Sequence, residues 1–147
     1  MKVLVLNGPN LARLDLRDSA IYGQMNFQKL SEYISDSASE LGIEVDIRQS
    51  DDEVQIIHWL HEAADLKLPV ILNPAAFTHY SYAIRDAAEM LTAPLIEVHL
   101  SNPMAREEFR HTSVISGVAK GTIAGFGPDS YRLALIALAQ LLGNIVS

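Results

Sequence analysis

Apolar residues along the chain fall into short runs, and between them they recur every three or four positions, the pattern of strands alternating with amphipathic helices. Lys2-Val-Leu-Val-Leu-Asn7 reads as a buried strand, followed by a polar loop from Gly8 to Gln24. Asn26 is placed to cap a helix on which Phe27, Leu30, Ile34, Ala38 and Leu41 recur, with Gly42 where a C-terminal cap belongs. Ile43 to Gln49 alternates as a second strand, and Val54, Ile57, Trp59, Leu60, Ala63 and Ala64 give the next helical face. Val70 to Asn73 is a third strand stopped before Pro74, and Tyr82 to Leu91 suits a helix ended by Ala93-Pro94. Leu95 to Leu100 and Gly121 to Phe126 supply two more strands, and Asp129 to Leu142 a closing helix rich in alanine and leucine. Strand and helix in strict alternation predict an all-parallel sheet with right-handed crossovers. For five strands the expected fold is α/β, a flavodoxin-like three-layer sandwich with a five-stranded parallel sheet, built as a single domain over residues 1–147.

Composition narrows the function. A chain of 147 residues with 49% hydrophobic and 20% charged positions can bury one core and has no disordered tract. Its net charge of −7 opposes a phosphate backbone, so no nucleic acid partner is expected. The absence of cysteine excludes disulfides, thiolate metal sites and cysteine nucleophiles, and fits a reducing compartment. Val3 to Leu6 is the one apolar run near the N-terminus, too short for a signal-peptide core or a membrane span. A cytoplasmic protein with no membrane partner is the expectation.

Against this background the stretch Glu97 to His111 stands out. An apolar strand breaks into His99, Ser101, Asn102, Arg106 and Arg110, groups for which a core strand has no use. Strand ends of open α/β sheets are where ligands bind, and local guanidiniums in an acidic chain suit a small anionic, hydroxylated metabolite. His58 and His61 lie three apart on a helix, but no third ligand accompanies them, so they read as surface or interface residues and no metal is assigned.

Three blocks together resemble one family. They are Asn7-Gly-Pro-Asn-Leu11 with Ile21-Tyr-Gly23, then Asn73-Pro with Thr78-His79 and Arg85-Asp86, then Glu97 to His111. In order and spacing they are similar to the type II 3-dehydroquinate dehydratases, over about Val3 to Leu138. The resemblance implies dehydration of 3-dehydroquinate to 3-dehydroshikimate through an enolate, in the shikimate or quinate pathway. It also implies that no cofactor takes part and that the chain assembles as a dodecamer built from trimers.

Matched by motif position, Tyr22 is the base that takes a proton beside the ketone, and Arg17 is the lid arginine. Ionising a tyrosine of reference pKa about 10 at pH 7 costs about 4 kcal/mol, so a cationic neighbour is required. His99 matches the acid that protonates the departing hydroxyl, with Glu97 two residues back on the same strand face to orient it. Asn10 matches the residue that holds a water against the enolate oxygen. Asn73, Ser101 and the amides of Leu100 and Ser101 match a carboxylate cradle, and His79 and Arg110 match groups that bind the ring hydroxyls. Asp86 matches a residue that enters from a neighbouring subunit. Arg106 matches a second family arginine or pairs with Glu107 or Glu108, and His111 supports packing.

In the lid this chain departs from its relatives. Ala12-Arg-Leu-Asp-Leu-Arg-Asp-Ser19 lacks the glycine and proline usual there, and Asp18 stands where glutamate is common, so closure is expected to differ. Two other readings remain open from sequence: a flavodoxin-like module holding a flavin or phosphate-bearing ligand, and a catalytically silent oligomeric module. Phosphate loops are rich in Gly, Ser and Thr, whereas Gly8 to Gln24 carries Pro9, several leucines, Arg17 and Tyr22.

Overall fold

The N-terminal strand forms as β1 (Lys2–Asn7) and is buried on both faces from Val3 onward, so helices must cover it on each side. They do so in a computed structural model that describes residues 1–143. After β1 come a 3-10 segment (Leu11–Leu16), α1 (Ser19–Tyr22), α2 (Phe27–Glu40), β2 (Glu44–Gln49) and α3 (Glu53–Leu66). Then follow β3 (Val70–Asn73), a 3-10 turn (Ala75–His79), α4 (Tyr82–Glu89) and β4 (Leu95–His99). Two 3-10 turns (Pro103–Ala105 and Glu108–His111) lead to β5 (Gly121–Ala124) and α5 (Asp129–Leu141).

The five strands pair in parallel in the order β2-β1-β3-β4-β5. Alternation along β1 divides the core in two. Val3 and Val5 join Leu30, Ile34, Leu135 and Leu138 beneath α2 and α5, while Leu4 and Leu6 join Ile56, Leu60 and Ile84 beneath α3 and α4. The result is the three-layer α/β sandwich that the strand and helix pattern implies.

Local signals act as read at α2, where the Asn26 side chain accepts from Lys29 N at 2.8 Å and Gly42 turns out of the helix at φ +70. Three boundaries differ. The segment 8–24 is not an open loop: Leu11 and Leu14 are buried and tie its 3-10 segment to the core, and the Asp18 side chain caps α1 through Ala20 N. On α3 the inward stripe is Ile56, Leu60 and Ala63, spaced at i, i+4 and i+7. Val54 lies two residues, or about 200°, from Ile56 and is 54% exposed. β5 stops at Ala124 because Gly125, at φ +96, turns the chain away.

Gly8 ends β1 by donating its N–H to Asn73 O at 2.8 Å, and a Cβ there would lie 2.6 Å from the carbonyl oxygen of Pro74. Both groups are backbone, so neither can rotate away. Gly8→Ala is expected to destabilise the fold by about 2 kcal/mol, read as an earlier urea midpoint at unchanged slope. A wild-type midpoint would show that β1 and β3 are free to part.

Candidate active site

From β1 the chain crosses to β2 on one side of the sheet, and from β3 it proceeds to β4 on the other, so a crevice opens at the carboxyl ends of β1 and β3. A buried polar chain sets its floor. Tyr131 of α5 donates to Asn7 Oδ1 at 2.6 Å and accepts from Asn73 Nδ2 at 2.9 Å, while Asn7 Nδ2 donates to Arg48 O and Asn73 Oδ1 accepts from Ala75 N. Burial pushes the Tyr131 phenol strongly upward, against an opposing pull from the Asn73 hydrogen bond, so it remains a neutral donor.

Above this floor lies a cavity of about 140 Å³. It gathers Asn10, Arg17, Tyr22, Asn73, His79, His99, Leu100, Ser101 and Arg110, together with Arg106. Of the residues matched to catalytic or substrate-binding roles, Asp86 is elsewhere, exposed on α4, and a single protomer does not bring it to the cavity.

Tyr22 ends α1 with its phenolic oxygen between two cations. Arg17 Nη2 and Arg106 Nη1 each donate to it at 2.7 Å, and their guanidinium carbons lie 4.6 and 5.5 Å from the ring centre. Arg106 Nη1 also donates to Ser101 Oγ at 3.2 Å. Its Nε is 3.9 Å from Glu107, beyond hydrogen-bond reach, and is buried without a hydrogen-bond partner among the described residues. The choice left open for Arg106 therefore falls to the tyrosine. Despite the altered lid, Arg17 reaches Tyr22, because its own N–H closes on Leu14 O and Leu14 is fixed in the core.

On β4, His99 Nε2 meets Glu97 Oε2 at 2.5 Å, which leaves Nδ1 as the nitrogen available to the cavity. Glu97 has no exposed surface and His99 is 9% exposed. Burial, the largest influence, pushes the Glu97 carboxyl up. The hydrogen bond and charge of His99, with the hydroxyls of Ser116 and Thr78, outweigh it and hold the carboxyl below its ordinary value. Thr78 Oγ1 and Ser116 Oγ donate at 2.6 Å each, and Ser113 Oγ at 3.0 Å.

Past the last β4–β5 pair at His99, the amides of Leu100 and Ser101 leave the ladder at the cavity wall. Asn73 has its Oδ1 and one N–H committed to the fold, so its second N–H is what remains for a ligand. His79 is set by Nδ1 against Thr112 O at 2.8 Å and by the edge of Phe109, and Arg110 by both oxygens of Glu107. Asn10 adopts φ +70, a region asparagine tolerates, with its N–H on Asp51 Oδ1 at 2.9 Å. His111 meets Arg106 O at 3.1 Å, and His58 and His61 are exposed on α3.

The family model for class II dehydroquinases matches residues 1–139. The chain belongs to that family. A 3-dehydroquinate dehydratase of Salinispora tropica is 58% identical over 95% of this chain and 97% of its own length. Among solved structures, a type II dehydroquinase from Propionibacterium acnes is 51% identical, with a TM-score of 0.92 over 95% of this chain and 96% of its own. One from Butyrivibrio crossotus is 44% identical, with a TM-score of 0.91 over 94% and 97%.

Sequence reading missed Ser113 and Ser116 as partners of Glu97. Its one usable signal was a glutamate in a strand otherwise too apolar to hold a lone charge. Because the folded Glu97 carboxyl is depressed, its stabilising contribution is complete above the unfolded value of 4.5 and is lost as pH falls through the lower folded value. Glu97→Gln is expected to remove that part of the acid-unfolding profile, measured by circular dichroism from pH 7 downward. An unchanged profile would mean that the carboxylate does not contribute.

Proposed function

We propose that this protein removes water from 3-dehydroquinate to give 3-dehydroshikimate, with Tyr22 as base and His99 as acid. The observation that carries the reading is the phenolic oxygen of Tyr22 held by two guanidiniums, in one cavity with a histidine backed by a buried carboxylate. Family membership and the name borne by the Salinispora relative support it.

Arg17 and Arg106 stabilise the phenolate, which takes a proton from the carbon beside the ketone. The charge passes to the ketone oxygen as an enolate, against which Asn10 holds a water. The enolate then expels the hydroxyl on the far side of the new double bond. His99 delivers its proton from Nδ1 to that hydroxyl, and water departs. The free N–H of Asn73, the amides of Leu100 and Ser101 and the Ser101 hydroxyl bind the substrate carboxylate, while His79 and Arg110 bind its ring hydroxyls. Every step uses side chains and backbone of the protein, with no cofactor. Asp86 completes the site from a neighbouring protomer in a dodecamer of trimers. The same dehydration serves shikimate formation or quinate breakdown.

Mixing protein with 3-dehydroquinate and following the ultraviolet absorbance of the conjugated product should register turnover. Tyr22→Phe and His99→Ala are each expected to lower kcat by about 10²–10⁴-fold. No turnover by the wild type, or undiminished turnover by Tyr22→Phe, would overturn the mechanism. Size-exclusion chromatography should give a dodecamer, and Asp86→Ala should raise KM; a monomer would remove Asp86 from the site.

A further inference from the structure

The hydroxyls around Glu97 surpass what is needed to orient one imidazole. Thr78 Oγ1, Ser113 Oγ and Ser116 Oγ all donate to a carboxylate that His99 already contacts, and Thr122 Oγ1 donates in turn to Ser116 Oγ at 3.1 Å. These groups come from separate parts of the chain: the turn after β3, the segment before β5, and β5 itself. They line a second cavity of about 330 Å³, which shares His99, His79, Pro103 and Arg110 with the first. Ser113 is itself fixed by the N–H groups of Ile115 and Ser116.

We propose that this hydroxyl cage carries the charge of Glu97 at the moment His99 gives up its proton, which makes Ser116 a positioning residue for the acid step. The proposal rests on His99 acting as the acid. While His99 is an imidazolium, it and Glu97 form a neutral pair. Once the proton has passed from Nδ1 to the leaving hydroxyl, a fully buried carboxylate faces a neutral imidazole whose Nε2–H still donates to it, and the hydroxyl donors supply the rest of what offsets its charge. The cage therefore stabilises the deprotonated pair more than the protonated one, and it lets the proton leave. Other charged or titratable groups facing the pair are His79 from the turn after β3 and Arg110 and His111 from the segment after β4. Arg110 is committed to Glu107.

Ser116→Ala removes one donor and leaves the neighbouring backbone bonds in place. In ligand-free protein the ring resonances of His99, followed by NMR, are expected to titrate about one pH unit higher, the equivalent of one hydrogen bond to a charged group. His79 and His111 stay unmoved as internal references. The alkaline limb of the kcat profile should shift the same way, with kcat reduced several-fold and KM unchanged, and Ser116→Thr should restore both. Thr122→Val, which deprives only Ser116 of its donor, should shift His99 upward by less and serves if Ser116→Ala fails to fold. A His99 titration that stays put or falls in the folded variant overturns the proposal even if the wild type turns over 3-dehydroquinate. An upward shift with no turnover by the wild type leaves the cage standing and removes the proposed reaction.

Discussion

Everything at the carboxyl edge of the sheet hangs on the buried contact of Tyr131 with Asn7 and Asn73. Two asparagines at the ends of adjacent parallel strands are buried, and each unsatisfied amide group would cost about 1–3 kcal/mol. One phenol on α5 satisfies both, donating to one and accepting from the other. This ties β1 and β3 at one level beneath a helix. The chain must then leave both strands together, through Gly8-Pro9 and Pro74-Ala75, and it does so with Gly8 pressed on the Pro74 carbonyl. Ala75 sits at φ +52 and Asn10 at φ +70, so the exits themselves are bent into conformations that few side chains adopt.

Charge is distributed with the same economy. On the outer surface Arg48 is paired with Asp46 and Glu62, and Arg13 with Asp15. In the crevice, Arg17 and Arg106 direct their donors at the Tyr22 phenolic oxygen, while Glu107 lies 3.2 Å from Arg110 and 3.9 Å from Arg106. An acidic protein thus gathers three guanidiniums where a carboxylate-bearing substrate would enter. The one carboxylate buried there, Glu97, faces the histidine.

Elements with strong periodicity were legible in the chain. β1, α2 and its caps, β3 and the burial of both faces of the sheet follow from spacing alone. The site's membership was legible at strand ends because Asn73, His99 and Ser101 interrupt apolar runs that had no structural reason to be interrupted. What escaped was structure without a period. The 3-10 segment at 11–16 places two leucines inward three apart within a polar stretch, too few to register as a helix. Ser113 and Ser116 lie in irregular chain, where serine is ordinary, and their meaning comes from a partner far back on β4. Arg106 had acidic neighbours in sequence, but the fold carries it to a tyrosine near the other end of the chain. Asp86 lies exposed on α4 away from the cavity, and neither the sequence pattern nor one protomer brings it there.

Tyr22 sits on a four-residue helix with no buried residue of its own. Among the described hydrogen bonds, the one that joins the 11–24 segment to the 101–111 segment ends on its phenolic oxygen. Its donor is a guanidinium, so the bond is charge-assisted and about twice as strong as a neutral one. One atom thus serves as the latch. Removing that oxygen would cut both guanidinium contacts at once, so the 11–24 and 101–111 segments are fastened over the crevice at a single point.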